Sequence, residues 1–255
     1  MKKKEQEFSI NESEKENFIP KTLRLFISYS TEEKLIAGSA KEAFNHFSFD
    51  VFLAHEDIPP GEKWSPYIIK NLKQRDIFIA LLSKNFISSQ WTAQEAGVAI
   101  GDSKFIIPIS IDGTLPYGFM ADYQAFKKFH FKTYTLSNST THIDCHDAVF
   151  EVVKFLGEKQ EFRQNIKDSM IVSLSSARSF RDAEAHMSYL LTFKPFSDTE
   201  AFEIFRRAIS NRQVSEASGC IEILKEMFKE YKNKLPEKLL SDVKTEIPVI
   251  FESES

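Results

Sequence analysis

The sequence predicts an α/β domain built on a parallel central sheet, followed by a smaller all-helical domain. Three observations support this prediction. In the first 157 residues, short apolar runs alternate with longer amphipathic segments. Buried strands of parallel sheets are continuous apolar runs, and the crossovers between them are usually helices. Beyond Gly157 the short apolar runs disappear and helical spacing continues, with little glycine or proline.

The predicted elements of the α/β part follow in order along the chain. Buried strands are expected over residues 23–28, 51–54, 77–83 and 105–109, with a further strand near 129–132. Helices are expected over residues 31–47, 64–73, 90–100 and 144–156. Ligands of such sheets bind at the carboxyl ends of the strands. Residues 28–30, 55–61 and 83–91 lie at that edge.

The C-terminal part has the signals of separate helices. Ser197 and Glu200 form a capping-box pattern ahead of AFEIFRRAI, and residues 214–231 carry apolar side chains at helical spacing. The polar N-terminus is expected to be a disordered arm. We therefore predict a disordered arm over 1–20, the α/β domain over 21–157 and a helical domain over 158–255.

Composition excludes two classes of partner. The net charge is −4 and the pI is near 5.9, so no concentrated basic surface for nucleic acid is expected. The longest apolar run, residues 77–82, is far shorter than the roughly 20 residues that span a bilayer. No membrane partner is predicted either.

The chain also carries signals of its compartment. The N-terminus MKKKEQEFSINESEKENF turns acidic and polar after its lysines, which argues against a secretory signal. The two cysteines, Cys145 and Cys220, lie in segments expected to belong to different domains, so no disulfide framework is predicted. These features predict a cytoplasmic protein.

The most informative motif is SSQWTAQEAGVAIG, from Ser88 to Gly101. It places Trp91 and Glu95 four residues apart at the start of a predicted helix, and therefore on one helix face. Three segments precede it: LRLFISYS over 23–30, DVFLAHEDIPPGEKW over 50–64 and RDIFIALLS over 75–83.

Together these segments resemble a TIR (Toll/interleukin-1 receptor) domain over roughly residues 21–157. The resemblance is to bacterial TIR proteins that consume NAD, as in Thoeris-type antiphage systems. It implies a flavodoxin-like fold and makes Glu95 the catalytic residue. The alternative reading of the two residues alone is an ordinary core tryptophan and a solvated glutamate.

The chemistry that the resemblance implies needs one carboxylate. Nicotinamide already carries positive charge in NAD, so it leaves without a proton from a general acid. The carboxylate fixes the ribose and stabilises the positive charge that develops on the sugar. Ordinary glycoside hydrolysis uses two carboxylates instead. Trp91, one turn before Glu95, is expected to wall the site, and Ser89 to contribute at the helix start.

FISYS places Ser28, Tyr29 and Ser30 at the end of the first strand. Their hydroxyls and backbone amides are expected to face the ribose or pyrophosphate of NAD, which the resemblance favours. The alternative is that these residues only cap the following helix. The chain lacks the glycine-rich fingerprints of Rossmann and P-loop sites.

The segment HEDIPPGEKW corresponds to the BB loop of TIR domains, which gates the site and contacts a neighbouring domain. Pro59, Pro60 and Gly61 predict a stiff turn. His55 and Asp57 are expected to place polar groups near the substrate. Trp64 is a candidate to stack on a base, with packing beneath the loop as the alternative.

No metal site or bound cofactor is predicted, because NAD is the substrate. HIDCHD, over residues 142–147, offers metal-ligating side chains, but no second ligand pair is apparent. A polar helix start is the preferred interpretation of that segment.

The leading hypothesis is an enzyme of the NAD nucleosidase or ADP-ribosyl cyclase type. It would release nicotinamide and ADP-ribose, or a cyclic or modified ADP-ribose signal that activates a separate effector in antiphage defence. Self-association through TIR domains is implied, with the neighbour's BB loop completing the site. The alternative is a non-catalytic TIR adaptor that acts by assembly alone. A third hypothesis is an enzyme that becomes active only after its helical domain recognises a trigger.

Overall fold

The computed structural model describes residues 18–54, 57, 64–127, 129–135 and 141–251. Residues 20–176 form one compact unit, and the C-terminal residues from 177 onward form the main part of another. Residues 158–176, which the sequence analysis assigned to the helical domain, group with the first unit. The boundaries of functional domains remain a prediction.

The central sheet of the first unit has the predicted parallel architecture. Its strands are β1 (Arg24–Ser28), β2 (Asp50–Leu53), β3 (Ile77–Leu82) and β4 (Phe105–Ser110). They lie in the order β2-β1-β3-β4, and each neighbouring pair is parallel. Every residue of β3 is buried, as expected for a central strand covered on both faces. The predicted fold class is confirmed.

Six α-helices accompany this sheet. They are α1 (Lys34–His46), α2 (Trp64–Lys73), α3 (Lys84–Ser88), α4 (Gln90–Gly101), α5 (His146–Gly157) and α6 (Arg163–Ser173). A short 3-10 turn over Thr31–Glu33 precedes α1. The Ser83 hydroxyl caps α3 and the Ser89 hydroxyl caps α4. The second cap lies between α3 and α4, so these are two separate helices at the carboxyl edge of the sheet.

The further strand expected near 129–132 is wrong in position and pairing. The strand β5 (Lys132–Thr135) pairs antiparallel with β6 (Thr141–Asp144) in a separate sheet. All four residues of β5 are exposed, so this segment lacks the apolar character of a buried parallel strand. Beside β4, a single parallel bridge from Phe126 to Ile109 takes the place of a fifth strand.

The second unit is helical throughout its described residues. Its helices are α7 (Phe180–Leu190), α8 (Asp198–Ile209), α9 (Arg212–Ser215), α10 (Ser218–Tyr231) and α11 (Glu237–Glu246). The predicted capping box of Ser197 and Glu200 is present at the start of α8. Within the described ranges, no helix is both long and apolar enough to span a membrane.

Candidate active site

The candidate site lies at the carboxyl edge of the sheet, where β1 ends and α4 begins. Ser89 caps α4, and its Oγ accepts a hydrogen bond from the Thr92 N–H at 3.5 Å. The Thr92 hydroxyl donates to the Phe86 carbonyl at 2.6 Å and so ties α4 to α3. These bonds fix the first turn of the helix that carries Glu95.

Glu95 is a buried carboxylate with incomplete hydrogen bonding. Glu95 is 2% exposed to solvent. The Ser28 hydroxyl, at the end of β1, donates to Glu95 Oε2 at 2.5 Å. The other oxygen, Oε1, is buried and has no hydrogen-bond partner among the described residues. Buried polar atoms are nearly always paired, so this one needs an explanation.

Burial changes the acidity of this carboxyl group. Removal from water disfavours the charged form and raises the pKa of Glu95 to about 7, although the hydrogen bond from Ser28 acts in the opposite direction. A carboxyl group that titrates near neutral pH in a cleft is typical of functional sites.

A small cavity opens beside Glu95, between α2 and α4. Its volume is about 50 Å³, below the roughly 300–1,000 Å³ of small-molecule sites. Trp91 and Glu95 both line it, as their spacing on one helix face predicted, and Trp91 is 39% exposed. The lining also includes Ser65, Ile68, Ile69, Leu72, Gln94 and Val98. A cavity of this size does not hold a nucleotide in this conformation.

The other residues of FISYS differ in their surroundings. Tyr29 is almost fully buried, at 1% exposure. Ser30 occupies the N-cap position of the 3-10 turn, but its hydroxyl makes no capping hydrogen bond. Its carbonyl accepts from the Glu33 N–H at 2.9 Å. Of these three residues, Ser28 is the one joined to Glu95.

Of the residues between 55 and 63 that were predicted to belong to the BB loop, the structure describes Asp57. Asp57 accepts two hydrogen bonds from Lys41 Nζ, at 2.6 and 2.7 Å, and one from the Leu53 N–H at 2.7 Å. Its carboxylate is thus bound to α1 and to the end of β2. Trp64 is the first residue of α2. His55 lies outside the described residues.

The sequence analysis missed two groups at this edge. Glu33 is buried, and its Oε1 accepts from Asn85 Nδ2 at 2.8 Å, which links the segment after β1 to α3. The apolar wall formed by α2 was missed as well. Ile68 and Leu72 are four residues apart, and that helical spacing is the signal by which this wall is recognisable.

The HIDCHD segment spans the end of β6 and the start of α5. Asp144 Oδ1 accepts from the His146 N–H at 2.9 Å, next to the first turn of α5. Burial raises the pKa of the Cys145 thiol to about 11, so the thiol stays protonated at neutral pH.

Comparison with known proteins finds one family match, which lies within the first unit. A family model described as TIR domain matches residues 25–140. Among solved structures, one match is the TIR domain of the Toll-related receptor TRR-2 of the lower metazoan Hydra magnipapillata. It has 17% sequence identity and a TM-score of 0.36, and the match covers 40% of this chain and 80% of that chain. No curated protein matched the sequence.

Proposed function

The chain contains a TIR domain over residues 25–140, and from this premise we propose that it cleaves the nicotinamide–ribose bond of NAD. Glu95 is the proposed catalytic residue. The observation that carries the proposal is its buried carboxylate, with one oxygen held by Ser28 and the other unpartnered. The unpartnered oxygen has the chemistry to accept a hydrogen bond from a ribose hydroxyl.

The proposed reaction breaks one bond. The electron pair of the C–N bond leaves with nicotinamide, which becomes neutral, and positive charge develops on the ribose carbon. The ionised Glu95 carboxylate stabilises that charge in a site with little water, where electrostatic interactions are strong. Water then completes hydrolysis to ADP-ribose, or a nucleophile within the product completes cyclisation.

Ionisation of Glu95 is coupled to substrate binding in this mechanism. Before binding, burial keeps a large fraction of the carboxyl group protonated near neutral pH. The cationic nicotinamide ring favours the charged carboxylate, as any nearby positive charge does. Binding of NAD is therefore expected to release a proton from Glu95.

The remaining parts of the proposal follow from the family resemblance. Ser28, Tyr29, Ser30, His55, Asp57, Trp64, Ser89 and Trp91 are the proposed substrate contacts. We propose that TIR–TIR assembly completes the site, since TIR domains self-associate in general. The proposed setting is the cytoplasm of a bacterium, where the product acts as an antiphage signal on a separate effector.

One observation favours a second candidate function, a non-catalytic TIR adaptor. The cavity of about 50 Å³ beside Glu95 does not hold NAD in this conformation. Under the enzymatic proposal, α2 and α4 separate when substrate binds or when domains assemble. Under the adaptor proposal, the cavity stays closed.

The test is nicotinamide release from NAD, with the nucleotide products separated by chromatography and mass. Wild type and Glu95→Gln are compared at high protein concentration and in phage-infected lysate, with the exposed Glu32→Gln as a control. Release that depends on Glu95 and not on Glu32 supports the enzyme. Assembly without any NAD consumption would support the adaptor instead.

A further inference from the structure

A second cavity lies in the TIR domain, along the side of β4 that does not pair with β3. Its volume is about 660 Å³, within the range of small-molecule sites. It shares no lining residue with the cavity beside Glu95. Residues that line it include Phe105, Ile106, Tyr123, Phe126, Lys127 and Phe155.

The cavity exposes a short free edge of β4. Phe126 pairs with this edge at one point, where its N–H donates to the Pro108 carbonyl at 2.8 Å and its carbonyl accepts from the Ser110 N–H at 2.9 Å. Backbone groups alternate between the two sides of a strand, so Ile106 directs its N–H and C=O to the same free side. No described segment pairs with β4 beside Ile106.

Aromatic rings and basic groups surround this edge. The Phe155 ring lies 5.2 Å from the Phe126 ring and 6.4 Å from the Phe105 ring, between centroids. Lys159 Nζ lies 4.5 Å above the centre of the Phe155 ring. Lys127 is exposed at the lining of the cavity.

We propose that this cavity binds a purine nucleotide. A purine offers flat faces for the phenyl rings, and its edge carries a donor and an acceptor that match the C=O and N–H of Ile106. The phosphate of the nucleotide has Lys127, an exposed lysine of the lining, as its electrostatic complement. The proposal is independent of NAD cleavage at Glu95.

Two other occupants fit these observations less well. A hydrocarbon chain would cover the polar groups of Ile106 without bonding to them, which is unfavourable. A peptide strand needs a longer free edge, but Phe126 already occupies the edge at Pro108 and Ser110. The segment over 123–127 also forms the opposite wall of the cavity.

Two substitutions of Ile106 distinguish the contribution of its backbone N–H to binding from that of its side chain. Ile106→Pro and Ile106→Ala both remove the buried isoleucine side chain, but only proline also removes the N–H. Proline is tolerated on a free strand edge, and Pro108 already stands at the equivalent position two residues later. Thermal melting shows whether both variants remain folded.

The experiment is calorimetric titration of the full chain with AMP, with GMP and with nicotinamide mononucleotide, which lacks a purine. We expect AMP or GMP to bind wild type and Ile106→Ala alike, and to bind Ile106→Pro about tenfold more weakly because one hydrogen bond is lost. Nicotinamide mononucleotide is expected to bind at least tenfold more weakly than the purine nucleotide.

A second variant keeps the proposal testable if Ile106→Pro does not fold. Lys127→Glu changes an exposed side chain and is expected to weaken purine nucleotide binding severalfold, with a smaller dependence on salt. Three results would overturn the proposal: no purine nucleotide binding to wild type, equal affinity for nicotinamide mononucleotide, or unchanged affinity in folded Ile106→Pro or in Lys127→Glu.

Discussion

Glu95 of the TIR domain and Glu203 of the helical unit are both buried carboxylates on helices, but their hydrogen bonding differs. Glu203 accepts bonds from Arg206 Nε at 3.1 Å, Arg206 Nη2 at 2.7 Å and Arg207 Nε at 3.0 Å. Glu95 accepts one bond, from Ser28, and keeps a buried oxygen without a partner. Burial alone therefore does not distinguish a candidate site from a structural ion pair. The unpartnered oxygen of Glu95, together with the cavity that this residue lines, distinguishes Glu95 from Glu203.

The first prediction concerns the pH dependence of stability. The folded-state pKa of Glu95, about 7, lies above its ordinary value of 4.5, so protonation stabilises the fold below pH 4.5 and this contribution is lost as the pH rises through 7. Wild type should lose roughly 2–3 kcal/mol of unfolding free energy from this group between pH 5 and pH 8. Glu95→Gln should not show that loss.

Urea unfolding of both proteins at the two pH values measures this difference. The test compares the pH-dependent change in unfolding free energy of the wild type with that of the variant. The contributions of all other titrating groups cancel in this difference. An equal pH dependence in both proteins would contradict the raised pKa.

The second prediction applies the same titration to the proposed activity. The ionised form of Glu95 is the proposed catalyst, so kcat/KM for NAD should rise about fifty-fold between pH 5 and pH 7 and level off above pH 8. A profile of nicotinamide release against pH checks this. A flat profile over that range would show that an ionised Glu95 is not required.

The third prediction concerns the ion pairs of Glu203 with Arg206 and Arg207. Glu203→Ala removes the partner of Arg206 and of the half-buried Arg207, and should cost about 2 kcal/mol of unfolding free energy. Denaturant unfolding of wild type and variant is the measurement, and an unchanged unfolding free energy would contradict a stabilising role of this ion pair.

The smallest expected effect is that of Ser28. The hydrogen bond from Ser28 lowers the pKa of Glu95, so Ser28→Ala should move the acidic limb of the kcat/KM profile to higher pH, by less than about one unit. Ser28→Thr, which keeps the hydroxyl, should restore the original limb. A lower rate in Ser28→Ala without any shift of the limb would indicate a role other than positioning Glu95.

Much of the fold was predictable from local sequence patterns. The apolar run over 77–82 predicts a buried strand, and Ser197 with Glu200 predicts a helix start, because each signal lies within one element. The pairing of residues 132–135 was not predictable in this way. It depends on a partner at 141–144 and on an edge of β4 where Phe126 makes one bridge.

The site was predictable only in part for the same reason. The spacing of Trp91 and Glu95 predicts a shared helix face, and both residues line one cavity. The contact between Ser28 and Glu95 joins residues 67 positions apart, and the bond from Lys41 to Asp57 joins two separate elements. The resemblance to TIR domains named Ser28, Asp57 and Glu95 as candidates, but the three-dimensional fold is needed to identify their partners.

The most direct test of the account is one assay on three proteins: wild type, Glu95→Gln and Glu203→Gln. Nicotinamide release from NAD is measured at pH 8 and normalised to folded protein. The account predicts that Glu95→Gln loses about 10³-fold in rate, while Glu203→Gln stays within about twofold of wild type. Undiminished release by Glu95→Gln, or equal loss in both variants, would contradict it.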